Sequence, residues 1–118
     1  MIKINYKDPR PLHEQIEDSM RRLIVSGALS GGDKLESVRE LASSLAINPN
    51  TIARAYRDLE AQGYIYKVAG RGTFVSEQLP SDPERKKKLL NTFDDTAKEL
   101  YFLGTDKDEL KKRIDNLF

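Results

Sequence analysis

Three observations predict a mainly α fold with one small β-hairpin. Apolar residues recur at helical spacing in three segments ahead of Gly63. The period then changes to two short runs rich in β-formers, Tyr64-Ile65-Tyr66-Lys67-Val68 and Thr73-Phe74-Val75, with Ala69-Gly70-Arg71-Gly72 between them. Beyond a boundary at Gln78 to Pro80, two more helical stripes follow. Helices, a tight turn and a hairpin in this order are a winged helix-turn-helix. Here it spans residues 1–79 and is followed by a C-terminal helical hairpin at 80–118.

The first helix is predicted from Pro11 to Gly27, with Leu12, Ile16, Met20 and Leu23 on one face. Pro11 suits the first turn, where a missing N–H is no loss, and Gly27 suits the stop. Gly31-Gly32-Asp33 marks a turn. Ser37-Val38-Arg39-Glu40 has capping-box spacing and opens a short helix burying Val38, Leu41, Ala42 and Leu45. Asn48 and Pro49 then serve as N-cap and first helical residue of a third helix, which runs to about Gln62 and buries Ile52, Ala55, Tyr56 and Leu59. Gly63 supplies a left-handed stop. In the last third, Ser81 and Glu84 have capping-box spacing around Pro83, and Gly104 separates the two helices, with Thr105-Asp106 capping the second.

Composition sets bounds without deciding function. The 118 residues suffice for one domain with an appendage. Hydrophobic residues make up 38% and charged residues 33%, the composition expected of a soluble globular protein. No run approaches a membrane span, and Met1 to Tyr6 lack the features of a signal peptide. Cysteine is absent, which excludes disulfides and thiolate metal sites, so a cytoplasmic location is expected. Net charge is only +1: residues 1–79 carry 11 Lys/Arg against 10 Asp/Glu, and residues 80–118 carry 9 against 9. Any nucleic-acid binding therefore requires the cations to gather on one face.

The chemistry that this pattern supports is DNA recognition. The second helix of a helix-turn-helix enters the major groove, its N-terminal residues reaching base edges. Opposite the Ile52–Leu59 stripe stand Asn50, Arg54 and Arg57, with Thr51 at the flank. Arginine pairs with guanine, asparagine with adenine, and threonine with phosphate or a thymine methyl. Any surface helix shows polar residues away from its core, so this face acquires meaning only with the rest. Ser37 and Arg39, at a helix N-terminus with free N–H groups, are placed for phosphate, as is Lys34 just before them. Gly70-Arg71-Gly72 forms the wing tip, where two glycines allow close approach and Arg71 can enter a minor groove.

The blocks Pro11-Leu12-His13-Glu14-Gln15-Ile16, Gly32 to Ala42, Asn48 to Tyr56, Leu59 to Gly63 and Gly70 to Val75 together resemble the DNA-binding domain of the GntR family, over about residues 10–76. The resemblance implies a homodimer on a palindromic operator, and a regulator that is most often a repressor. It implies DNA contacts from Arg39, from Asn50, Thr51 and Arg54, and from Gly70 and Arg71. One departure is Glu36, where the family usually has proline. It adds negative charge beside a phosphate site, while the Ser37–Glu40 box is retained.

The short tail resembles the two-helix YtrA-type subfamily rather than the larger effector-binding modules. A hairpin of this size buries too little surface to stand alone. Its stripe of Leu89, Phe93, Ala97, Leu100, Leu110, Ile114 and Leu117, with Phe102 and Phe118 beside it, therefore needs another surface. A second copy is the expected partner, and folding back on the winged domain is the alternative. No cofactor is implied, and an effector is left unassigned.

Other candidates carry less. His13, the only histidine, reads as a helix-surface or interface residue, since zinc needs three or four converging ligands. Asp94 and Asp95 are adjacent and diverge on a helix, and Asp106, Asp108 and Glu109 complement a helix dipole. Arg85-Lys86-Lys87-Lys88 reads as a solvated face. No nucleophile–base pair or phosphate loop points to an enzyme. A winged-helix module that binds protein, with no DNA affinity, is the alternative function; near-neutral charge and Glu36 are its support.

Overall fold

The computed structural model describes residues 2–118. Among them the element order is α1 (Leu12–Val25), α2 (Val38–Leu45), α3 (Pro49–Ala61), β1 (Ile65–Val68), β2 (Gly72–Val75), α4 (Pro83–Phe102) and α5 (Lys107–Leu117). This is the mainly helical winged architecture expected from the sequence. The chain divides into two compact units, residues 1–80 and 81–118, a break one residue beyond the expected one.

In the first unit, α1 starts one residue later than expected. Pro11 caps it from outside with extended backbone instead of occupying the first turn. Its buried apolar line is Ile16, Met20 and Ile24, while Leu12 and Leu23 are half-buried. Gln15 is buried too, and fully used. Its amide donates to the carbonyls of Asn5 and Arg10 and its oxygen accepts from the Asn5 N–H at 2.9 Å, tying the N-terminal segment to α1.

The caps of α2 and α3 are those legible in the chain. Ser37 Oγ accepts from the Glu40 N–H at 3.1 Å, and Glu40 Oε1 accepts from the Ser37 N–H at 3.1 Å. Asn48 caps α3 with Pro49 in its first turn. Between the helices, Ala46 sits at φ 54°, and the Ile47 N–H closes back on the Ala42 carbonyl at 3.0 Å. This left-handed alanine makes the tight turn, and it drives Ile47 into the core.

β1 and β2 pair antiparallel with Ile65 opposite Val75 and Val68 opposite Gly72. The stretch read as a simple turn does more. Leu35 N–H donates to the Thr73 carbonyl at 2.8 Å, Val75 N–H to Asp33 at 2.9 Å, and Lys34 lies opposite Phe74. β2 is thereby paired on both sides, which anchors the wing to the residues leading into α2. Ile16, Ile52, Leu59, Ile65 and Val75 are fully buried where α1, α3 and the hairpin meet. Each such side chain contributes about 1.5–3 kcal/mol of burial.

In the second unit, Asp82 rather than Ser81 caps α4, its Oδ1 accepting from the Arg85 N–H at 3.1 Å. With Pro83 as the first helical residue, the position just before it is the one whose side chain can reach the third amide. Asp106 caps α5 as expected. No residue of either helix is buried.

Candidate nucleic-acid interface

The α2 N-terminus combines a cap with an exposed cation. Ser37 and Arg39 are exposed, and with Lys34, Lys67, Gly72 and Thr73 they line an open crevice of about 360 Å³ between α2 and the wing. A helix N-terminus, a hydroxyl and three cationic side chains line it, and so does the Glu40 carboxylate, which is held by the Ser37 N–H in the capping box. Lys67 was not among the residues singled out from sequence. Strand alternation could not have found it, because it places Lys67 on the same face as buried Ile65, yet Tyr66 and Lys67 are both exposed.

Gly72 belongs to this crevice for a steric reason. Its φ is 123°, and a Cβ there would lie 2.9 Å from the Lys34 side chain. Gly70, at φ 75° with nothing within 4 Å, forms the open turn that exposes Arg71. The Arg71 N–H closes this turn on the Val68 carbonyl at 2.9 Å.

On α3, Asn50, Arg54 and Arg57 are exposed and Thr51 is half-buried, while Ile52, Ala55, Tyr56 and Leu59 face the core. Asn50 has its backbone N–H held by Asn48 Oδ1 at 2.8 Å, leaving its side chain outward. Tyr56 fixes α3 against the α2 entry by donating to the Glu36 carbonyl at 2.7 Å. Burial first, then the charges of Glu36 and Glu40, push its phenol up to about 12. Glu36 thus serves α3 through its backbone, and its exposed carboxylate adds negative charge near the crevice.

The near-zero net charge conceals a division of labour. Asp8 and Asp18 engage Arg10, and Asp18 and Glu17 engage Arg21. Burial raises the Asp18 carboxyl, but hydrogen bonds from Arg10 and Arg21 outweigh it and hold it below its ordinary range. Among the described residues, Arg39, Arg54, Arg57, Lys67 and Arg71 form no ion pair. The same holds for the Lys and Arg side chains of α4 and α5, so what sets the cations of α2, α3 and the wing apart is their placement about the α2 N-terminus, the exposed face of α3 and the wing tip.

Residues 12–75 match the model of the bacterial regulatory proteins of the gntR family. The chain belongs to the GntR family. It is 47% identical over 77 residues to the transcriptional repressor YtrA of Bacillus subtilis, a match covering 65% of this chain and 59% of that protein. A solved YtrA from Sulfolobus acidocaldarius, described as a GntR-family transcription factor, is 36% identical with a TM-score of 0.65, over 81% of this chain and 97% of that one. The DNA-binding domain of AraR, solved in complex with an operator, is 28% identical with a TM-score of 0.58, over 64% of this chain and 96% of that one. These are transcription regulators, not enzymes.

The GntR-type head ends before α4. Within the tail, Leu89, Phe93, Ala97 and Leu100 of α4 and Leu110, Ile114 and Leu117 of α5 line one groove of about 360 Å³. Leu89 and Phe93 are about half exposed, at 52% and 51%. The expected stripe is therefore assembled on one surface of the hairpin. His13, set aside on the sequence, is not isolated: its Nδ1 lies 2.8 Å from Glu17 Oε2 and 3.7 Å from Asp58 Oδ2.

Proposed function

We propose that this GntR-family chain is a sequence-specific DNA-binding repressor that acts as a homodimer on a pseudo-palindromic operator. The observation that carries this reading is the placement of exposed Arg39, Arg54, Arg57, Lys67 and Arg71 on α2, the outer face of α3 and the wing of a GntR-type head. In the bound state α3 lies in the major groove, with Asn50 and Arg54 reading base edges and Thr51 and Arg57 beside them. Lys34, Ser37, Arg39 and Lys67 hold a phosphate at the α2 N-terminus. Gly70, Arg71 and Gly72 let the wing approach the minor groove.

The tail supplies the second half of the proposal. Its exposed stripe from Leu89 to Leu117 pairs with the same stripe of a second chain, a self-complementary interface of two-fold symmetry. Two heads so joined read two inverted half-sites. Such a regulator works in the cytoplasm, and among the described residues no helix is long and apolar enough to cross a membrane.

Selection of bound sequences from a random duplex pool tests the reading. The expected product is an inverted repeat bound by one dimer, with an affinity that falls steeply as salt rises. No enrichment at low salt sinks the DNA-binding assignment and favours a protein-interaction module. Enrichment of a single unpaired half-site sinks the dimer.

A further inference from the structure

We propose a divalent-metal site on the winged head, formed by His13 and Glu17 of α1 and Asp58 of α3, with zinc as the ion that its ligands suit. One atom from each residue converges: His13 Nδ1, a Glu17 oxygen and an Asp58 oxygen all lie within 4.8 Å of one another. The His13–Glu17 separation is 2.8 Å and the His13–Asp58 separation 3.7 Å. Neighbouring ligands around tetrahedral zinc, with bonds of ~2.0–2.1 Å, stand about 3.3 Å apart. The two distances to His13 bracket that value and the Glu17–Asp58 pair lies within 4.8 Å, so rotation of the exposed Asp58 side chain closes the set around an ion. It replaces the hydrogen bond between His13 and Glu17.

The fold supplies what the sequence lacks. His13 and Glu17 are one helical turn apart on α1, and packing of α1 against α3 brings in Asp58. Glu17 is held inside, its side chain 6% exposed, while Asp58, 41% exposed, faces water and gives the ion an entry path. Arg21 lies 3.8 Å from the other Glu17 oxygen, an ion-pair contact that leaves the oxygen nearer His13 for the ion. One imidazole nitrogen with two carboxylate oxygens suits zinc, and a water completes the fourth position. Calcium and magnesium, which take six or more oxygen ligands, are a poorer match. An ion here clamps α1 to the helix that carries Asn50 and Arg54, and stabilises the head by binding only its folded form.

The test uses the full, tag-free chain, stripped by chelator, with zinc chloride added and no DNA present. Its outcome is therefore independent of the DNA-binding proposal. Calorimetry is expected to give one ion per chain, with a melting temperature that rises with zinc concentration. His13 is the only histidine. One set of imidazole proton signals therefore shifts and saturates in the same titration. Asp58→Asn, at the surface, and His13→Gln, whose amide can keep the hydrogen bond to Glu17, retain the circular dichroism of the native chain and each weaken zinc binding by about tenfold or more. Glu109→Gln, outside the cluster, leaves it unchanged. Absence of saturable zinc binding, or undiminished binding in the His13→Gln/Asp58→Asn double variant, overturns the proposal. In that case His13 and Glu17 form only a hydrogen bond.

Discussion

Ile52 and Leu59 in the winged head are fully enclosed, whereas Leu89 and Phe93 in the tail, on an equally regular helical stripe, stand about half exposed. Both regions have well-capped helices and an apolar face. They differ in what lies opposite that face. In the head, α1, the hairpin and α2 surround α3. The tail has two helices with a groove between them and no buried residue. An amphipathic stripe states a need for burial, and only a sufficient number of surrounding elements meets that need within one chain.

The sharpest way to break this comparison is a matched pair of truncations. Leu59→Ala is expected to destabilise the head by ~2–5 kcal/mol in urea unfolding, as a cavity in a closed core does. Phe93→Ala should leave the head's unfolding midpoint unchanged and instead raise the dissociation constant of the proposed dimer in sedimentation equilibrium, by about tenfold or more. Equal effects of both substitutions on the head would show that the two regions are not energetically separate.

A second contrast lies within the head's own surface. Arg54→Ala is expected to cost ~1–3 kcal/mol of discrimination between the preferred site and one mutated at a single base pair. Arg39→Ala should instead weaken binding to all duplexes alike and reduce the salt slope by about 1. Fluorescence anisotropy over a salt series separates the two.

Alkaline pH probes the enclosure of the head through Tyr56. Its phenol is pushed up to about 12 by burial and by Glu36 and Glu40. The folded state therefore prefers the neutral form more strongly than the unfolded state does. That contribution is complete below the unfolded value of about 10 and is lost as pH rises from there through the folded value. Urea midpoints measured across this range should fall, and Tyr56→Phe should remove the part of the fall due to this residue. If the Tyr56→Phe variant shows the same fall as the wild type, this phenol is not enclosed.

The smallest effect is expected at Ala46, whose φ of 54° lies in the left-handed region. Ala46→Gly relieves a cost of roughly 1 kcal/mol for an L-residue there, offset in part by the greater freedom of unfolded glycine. A modest rise in melting temperature is the expected reading.

Local features were legible because local chemistry decides them. Ser37 with Glu40, Asn48 before Pro49, and the two glycines about Arg71 each act within a few residues, and each stands where the pattern put it. The shift of the α4 cap from Ser81 to Asp82 shows the limit of that register, since two polar residues precede Pro83 and geometry chooses one. Lys67 was not legible, because strand alternation puts it on the face of buried Ile65 and only the structure shows it exposed. The pairing of residues 33–35 with β2 was hidden because Gly31-Gly32-Asp33 also reads as a turn, and a strand's partner is not written in its own residues. The helix-turn-helix pattern and the family resemblance together supplied the candidate DNA-binding positions, and the structure adds that Arg39, Arg54, Arg57 and Arg71 are exposed.

By itself, then, the chain determined its elements, their order and the two stripes that demand burial, since helix caps, breakers and periodicity act over short distances. Which stripe is satisfied internally, that β2 is paired on both sides, and that His13 and Glu17 meet Asp58 were decided only by tertiary structure. The reason is physical: burial, strand pairing and ligand convergence join residues distant in sequence, and packing alone brings them within contact.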